Sequence, residues 1–154
     1  LLSRPPAATN RLVDPHDASE PVAARARSYL HANCASCHVG SGGGNAAIEL
    51  EYLSAHETIP LEAMRVVDAK PLHAAFDLPD ARIVAPGEPR RSLLLERMHR
   101  RGPGQMPPLA TAVFDERGVA VVREWIRSLA PGENATTGGV AAPADVADQR
   151  GLGR

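Results

Sequence analysis

The stretch Cys34-Ala35-Ser36-Cys37-His38 contains the only two cysteines of the chain, and a histidine directly follows the second. Two thiols with this spacing can each form a thioether with a vinyl group of the same haem. The histidine then lies beneath the iron, as in the attachment signal of c-type haem. The sequence therefore predicts one covalently bound haem c, with Cys34 and Cys37 as its anchors and His38 as its proximal iron ligand.

Three other interpretations of the two cysteines fit the sequence less well. A thioredoxin-like redox pair is expected in a βαβ context, whereas the residues before Cys34 have helical periodicity. A structural zinc site needs four protein ligands, and the chain has no second cysteine pair. A disulfide between Cys34 and Cys37 is chemically possible, but it leaves His38 without a role.

A candidate for the second iron ligand lies in the segment Gly102-Pro103-Gly104-Gln105-Met106-Pro107-Pro108. The glycines and prolines exclude a helix and hold the backbone in an extended loop. A thioether that projects from such a loop can take the sixth position of haem iron, and methionine in that position raises the reduction potential. We predict that Met106 is the distal ligand, with His99 as the alternative.

The composition indicates a single domain with few large side chains of its own. Of the 154 residues, 44% are hydrophobic but only 3% are aromatic, so a buried haem would supply much of the missing core volume. The formal charge is -1 and sixteen arginines accompany one lysine, which gives no basic excess for a nucleic-acid partner. No apolar run approaches the roughly 18 residues of a membrane span.

The N-terminal residue is leucine, and no signal-peptide pattern opens the sequence. We therefore expect the chain to be a processed or excised part of a longer protein. Haem is attached to this type of motif outside the cytoplasm. A periplasmic or otherwise extracytoplasmic location follows from that chemistry.

Apolar periodicity predicts three helices. The first follows an N-cap at Ser19 and runs into Cys34, the second covers residues 91–100, and the third follows an N-cap at Asp115. Ser92 lies near the start of the second helix, and Tyr29 and Trp125 are expected where the first and last helices meet.

The domain division follows from where that periodicity begins and ends. Residues 1–18 are predicted to be an extended lead-in, and residues 19–130 form the domain. Residues 131–154 lack a periodic apolar face and are predicted to be a disordered tail or linker.

The long region over residues 40–89 carries weaker signals. The alternation at 48–52 and the apolar run at 82–84 could pair as a small β-ribbon over a haem edge, and residues 61–67 could form one or two helical turns. Three side chains in this region are interpreted as non-ligands: His56, Met64 and His73. His31, one turn before Cys34, is interpreted as a surface or hydrogen-bonding histidine.

Five arginines surround the second helix: Arg90, Arg91, Arg97, Arg100 and Arg101. The simplest interpretation is a solvated helix face. Alternatively, one of them donates to a haem propionate, or the group forms a docking patch for an acidic partner. The sequence leaves open which arginine would contact a propionate.

Together these features resemble a class I c-type cytochrome domain over roughly residues 19–130. They are most similar to haem domains at the C-terminal end of larger extracytoplasmic proteins of the dehydrogenase or propeller type. The residues that carry this closer resemblance are Asn33-Cys34, Ala85-Pro86-Gly87-Glu88-Pro89, Met106-Pro107-Pro108 and Glu124-Trp125-Ile126.

The resemblance implies an all-α cytochrome c fold, with crossed N- and C-terminal helices around one covalent haem. It carries over Cys34 and Cys37 as anchors, His38 as proximal ligand and Met106 as distal ligand. The stretch from Gly40 to Glu88 is longer than a minimal member of the family needs.

The implied function is single-electron transfer without bond-making chemistry, so we expect a carrier rather than an enzyme. The expected partners are a dehydrogenase, as a separate or fused donor, and a cytochrome or oxidase as acceptor. Two other functions remain open: a gas-binding or signalling haem with a labile or absent Met106 bond, and a haem peroxidase that would use His99 as its distal base.

Overall fold

The computed structural model describes residues 11–53, 57–73 and 75–130. Three α-helices form most of the regular structure: α1 (Val22–Cys34), α2 (Leu93–His99) and α3 (Glu116–Ser128). Two 3-10 helices, Glu62–Met64 and Pro89–Arg91, lie between α1 and α2. Within these ranges the only β structure consists of isolated bridges. The prediction of an all-α chain is confirmed at this level.

The predicted tail over 131–154, the first ten residues of the lead-in and His56 lie outside the described residues. The described end of the lead-in is attached to α1. The backbone N–H of Val13 donates to Ser28 Oγ at 3.0 Å, and Arg25 Nε donates to the carbonyl of Pro15 at 2.9 Å. No helix in the described part of the chain is long and apolar enough to cross a membrane.

The core lies where α3 packs against both α1 and α2. Its largest fully buried side chain is Trp125, which is 1% exposed. The helices contribute the side chains of Ala26, Leu30, Leu94, Leu95, Met98, Val119, Val122 and Ile126 to the same cluster. Complete burial of such a side chain contributes about 1.5–3 kcal/mol each. The α1–α3 contact therefore supplies much of the stability of the helical part.

Gly118 brings α1 and α3 into close contact. A Cβ atom at this position would lie 2.2 Å from ring atoms of Tyr29, so only hydrogen leaves room for the ring. Burial raises the pKa of Tyr29 to about 12, and the charge of Asp115 and a hydrogen bond to its side chain act in the same direction. The first and last helices thus meet as predicted, and the Tyr29 ring packs against Gly118.

One predicted helix cap is confirmed and one is wrong. Asp115 Oδ1 accepts from the backbone N–H of Gly118 at 3.0 Å, which is the bond expected of an N-cap aspartate. Ser19 makes no such bond, because its hydroxyl donates instead to Asp17 Oδ1 at 2.7 Å. Pro21 occupies the N-cap position of α1 without a side-chain cap.

The second helix is shorter than predicted because Ser92 has another role. Its hydroxyl accepts from the backbone N–H of Ala85 at 2.9 Å and donates to the carbonyl of Glu88 at 3.1 Å. Since Ser92 is 1% exposed, these bonds fix the preceding turn in the interior. Helix α2 starts directly after Ser92, at Leu93, whereas the sequence predicted a start at residue 91.

The suggested β-ribbon between 48–52 and 82–84 is absent from the described residues. Val84 exchanges hydrogen bonds with Val66 and Asp68, and residues 82 and 83 accept from the backbone of 93 and 94. The 48–52 run bonds elsewhere, since the Leu50 N–H donates to the His38 carbonyl at 2.7 Å. Both segments therefore have other backbone partners. The helical turn predicted within 61–67 is confirmed as Glu62–Met64.

Candidate functional site

A single cavity of about 310 Å³ is lined by all four side chains that the sequence assigns to haem: Cys34, Cys37, His38 and Met106. Ligand pockets commonly have volumes of about 300–1,000 Å³. The walls are largely apolar. Leu93, Leu94 and Met98 come from α2, and Ile48, Leu50 and Ile83 come from the segments before it. The cavity thus combines an apolar lining with a few groups able to bind a metal or form a covalent link.

The cysteine motif continues α1 by one turn. The Cys34 carbonyl accepts from the backbone N–H of Cys37 at 3.1 Å and from that of His38 at 2.9 Å. Cys34 is partly buried and Cys37 is exposed, and no disulfide joins them. Because a helical turn sets the spacing of these residues, all three reach the same cavity.

The environment of Cys34 is unfavourable to a thiolate. Burial raises its pKa to about 11, and the neighbouring Cys37 adds to the shift. Thiol redox chemistry and zinc binding both use the thiolate. In the described ranges, no group of three or more His, Cys, Asp and Glu side chains could hold a metal ion. An uncharged thioether is compatible with the buried position of Cys34.

The surroundings of His38 disfavour its charged form. Burial lowers its pKa, and the positive charge of Arg97 lowers it further. The neutral imidazole is the ligand form of histidine. Its Nδ1 atom is buried without a hydrogen-bond partner among the described residues, next to Gly44, where a Cβ would lie 2.9 Å away. This enclosure of Nδ1 favours Nε2 as the nitrogen that could bind a metal.

Two glycines allow the loop after the motif to close over it. A Cβ on Gly42 would lie 2.3 Å from the Cys37 carbonyl oxygen, and one on Gly44 would lie 2.8 Å from the same atom. The Gly44 N–H donates to that carbonyl at 2.9 Å. These two glycines thus allow the loop to approach the Cys37 carbonyl closely and to hydrogen-bond to it.

Met106 lies in a hydrogen-bonded loop, and its half-buried side chain lines the cavity. Its backbone N–H donates to the Arg97 carbonyl at 2.9 Å, and Arg97 Nη1 donates to the carbonyl of Gly104 at 3.0 Å. The side chain of Gln105 joins the two ends of the loop, since it accepts from the Gly102 N–H at 2.7 Å and donates to the Pro107 carbonyl at 3.0 Å. The Met106–Pro107 peptide bond is cis.

The structure separates the other candidate ligands. His99 is exposed, packs against Phe114 with the rings tilted by 50° and their centroids 4.2 Å apart, and is not among the cavity-lining residues. His73 does line the cavity, although the sequence gives it no recognisable ligand setting. Met64 is fully buried in the core. His31 accepts a hydrogen bond from the Tyr52 N–H at 3.0 Å, which confirms its hydrogen-bonding role.

Of the five arginines around α2, Arg97 is the one that lines the cavity. Arg91 pairs with Glu88 at 2.6 Å, and Arg100 pairs with Glu96 at 2.6 Å. Arg101 Nη1 donates to the carbonyl of Met98 at 3.1 Å. The sequence could not single out Arg97, because all five share the same short segment.

Comparison of the chain with models of known protein families, with curated proteins and with solved structures found no significant match.

Proposed function

We propose that this chain binds one haem c covalently and carries single electrons. The observation that supports this most is that Met106, far along the chain from the cysteine motif, lines the same cavity as Cys34, Cys37 and His38. The motif alone predicts attachment and one axial ligand. The shared cavity supports Met106 as a second ligand, of the type that low-spin electron carriers use.

The residues around the cavity fit a haem. Cys34 and Cys37 would hold it through thioethers, and His38 Nε2 and Met106 Sδ would bind its iron. When bound, haem c supplies a one-electron ferric/ferrous couple. Because the protein would supply both iron ligands, little would rearrange when an electron enters or leaves. Arg97, a cation in the lining of a largely apolar cavity, is the arginine we assign to a propionate.

The finer fold assignment is also part of the proposal. Helix α1 leads directly into the attachment motif and α3 packs against it, as expected for a class I c-type cytochrome domain. The attachment chemistry supports a periplasmic or otherwise extracytoplasmic location.

A partner would approach at the cavity rim. Leu72 lines the cavity and is 73% exposed, and Pro107 and Pro108 line it from the Met106 loop. Leu109, the next residue, is 79% exposed. A small apolar rim suits the short-lived contacts of redox partners, which bury little area. We propose a dehydrogenase as donor and a cytochrome or oxidase as acceptor.

The placement of the histidines bears on the rival functions. A peroxidase would need a distal base in the cavity. The sequence offered His99 for this role, but His99 packs against Phe114 and does not line the cavity. His73 replaces His99 as the alternative axial ligand, since it lines the cavity. A gas-binding haem would require Met106 to leave the iron easily.

The test is a visible and near-infrared spectrum of the protein made in a host that attaches haem. We expect reduced haem-c bands, together with the weak near-infrared band of methionine sulfur on ferric haem. Met106→Ala should abolish that band and allow the ferrous protein to bind carbon monoxide, whereas His73→Ala and His99→Ala should retain the band. No covalent haem would overturn the proposal. Haem whose spectrum changes with His73→Ala instead would overturn the ligand assignment.

A further inference from the structure

We infer that Phe76 is a positioning residue for Met106, through contacts that hold the Met106 loop against α2. These contacts join Phe76, Arg97, Arg100 and Gly104, and we call them the Phe76 clasp. The inference rests on the proposed function for its effect on iron ligation. Its effect on the loop itself can be measured without reference to the iron.

The ring of Phe76 occupies the space that a side chain at Gly104 would need. A Cβ on Gly104 would lie 2.3 Å from Phe76 Cζ and 2.8 Å from Cε1. Gly104 also has a φ of +83°, a conformation that side chains rarely adopt. Gly104 is two residues before Met106, so the ring packs against the backbone that carries the ligand.

Two guanidinium groups cover the same ring, one from Arg97 in α2 and one from Arg100 at the C-cap of that helix. The Arg100 carbon Cζ lies 4.0 Å from the Phe76 ring centroid, and Arg97 Cζ lies 5.0 Å from it. Both distances are within the range of cation–π attraction. Arg97 also bonds to the loop through its side chain, at Gly104, and through its carbonyl, at Met106. The ring, the helix and the loop therefore form one connected set of contacts.

The backbone at Phe76 shows that these contacts hold it in an unfavourable conformation. Phe76 has a φ of 52° and Asp77 a φ of 60°, both in the left-handed region. A bulky residue in that region costs conformational free energy and persists only where its surroundings compensate. The contacts with Gly104, Arg97 and Arg100 are the compensation that the structure provides.

The clasp therefore has a predictable effect on iron ligation. The Met106 loop contains two glycines at positive φ, Gly102 and Gly104, and its residues are exposed or only half-buried. With few buried contacts of its own, the loop depends on outside contacts for its order. Loss of the Phe76 ring should free the loop from α2 and make the Met106 sulfur easier to displace from the iron.

The first experiment measures amide hydrogen exchange in the holoprotein. Phe76→Leu should accelerate exchange in the segment 102–108 by about tenfold, which corresponds to the loss of two partly exposed guanidinium–ring contacts. The amides of α3 serve as the internal reference. Phe114→Leu is the matched control, because Phe114 also lies beneath an arginine, Arg101, but contacts His99 rather than Gly104.

The second experiment titrates the ferric holoprotein with imidazole, which competes with Met106 for the iron. We expect Phe76→Leu and Gly104→Ala, one from each side of the contact, to raise the imidazole affinity by about tenfold and to weaken the sulfur–iron band. Phe114→Leu should leave both unchanged.

The outcomes separate the two proposals. Wild-type protein without the sulfur–iron band would contradict the ligand assignment, yet the exchange experiment would still decide whether Phe76 orders the loop. Equal exchange of 102–108 in wild type and Phe76→Leu would overturn the clasp, as would acceleration that is equal in the loop and in α3. An unchanged imidazole affinity in a variant with a freed loop would overturn its role in positioning Met106.

Discussion

The two sides of this molecule are stabilised in different ways. Where α1 meets α3, the side chains of Leu30, Val122 and Trp125 are 0–1% exposed and pack against one another. Around the cavity, the loops are held by individual backbone hydrogen bonds, such as those at His38 and Met106. The helix pair thus packs side chain against side chain, whereas the cavity walls enclose a space. We therefore expect that stability and cofactor binding can be changed separately.

The largest expected effect comes from removing the haem anchors. Cys34→Ala/Cys37→Ala should abolish covalent haem completely, as measured by haem staining and mass spectrometry of the denatured chain. Amide exchange should then show the greatest loss of protection in the cavity loops, 42–50 and 102–108, and the least in α1 and α3. Equal loss of protection in the loops and in the helices would contradict the proposed difference between the two sides, because it would show that the helix pair also depends on the haem.

A smaller effect is expected from Gly118→Ala on the other side of the molecule. The new methyl group would overlap the Tyr29 ring, and overpacking of this kind costs about 1–3 kcal/mol in the free energy of unfolding. Urea denaturation followed by circular dichroism would measure the loss. The sulfur–iron band should remain, since Gly118 is not among the residues that line the cavity. Gly43→Ala is the control, because a Cβ there meets nothing within 4 Å.

Removal of the confirmed helix cap should have a smaller effect again. Asp115→Ala deprives both the Gly118 N–H and the Tyr29 hydroxyl of a partner, and the loss of such a cap alone costs about 1 kcal/mol. Ser19→Ala is the matched comparison, because Ser19 was predicted to cap α1 and does not. Its free energy of unfolding should be nearly unchanged. Equal losses in the two variants would contradict the assignment of the caps.

The last expected effect is confined to alkaline pH, where stability depends on pH. The pKa of Tyr29 rises from 10.0 to about 12 in the folded chain, mainly through burial. Its contribution is fully present below pH 10, where the phenol is protonated in both states. As the pH rises from 10 towards 12, the unfolded chain loses this proton first, so the free energy of unfolding falls.

Tyr29→Phe should lack this decline between pH 10 and 12. Denaturation at a series of pH values would compare the two proteins, and an identical pH dependence in both would contradict the assignment to Tyr29. The haem attachment should be unaffected, which again separates the helix pair from the cavity.

The helices and the four residues assigned to haem could be predicted from sequence because they leave local signals. Apolar periodicity predicts α1, α2 and α3, and the spacing of Cys34, Cys37 and His38 fixes their relation within one helical turn. Met106 is distinguished by the glycines and prolines around it. That it lines the cavity together with His38 agrees with its selection as the distal ligand, while coordination itself stays a prediction.

The misses depend on partners that local sequence patterns do not specify. Ser19 has the residue type of a cap, but the nearby Asp17 carboxylate accepts from its hydroxyl. The 82–84 run has strand-like composition, but its backbone partners come from two other segments. His73 and Phe76 lie in irregular segments without periodicity, so nothing local indicates that one lines the cavity and the other packs on Gly104.

Arg97 combines three connections in one residue. Its carbonyl accepts from Met106, its guanidinium donates to Gly104, and its charge lowers the pKa of His38. Substitutions here would therefore be strongly non-additive with changes at Phe76 or Gly104, because each removes part of the same network. Double-mutant cycles that include Arg97 should show large coupling energies. Residues of the helix pair, such as Gly118, should combine with Arg97 almost additively.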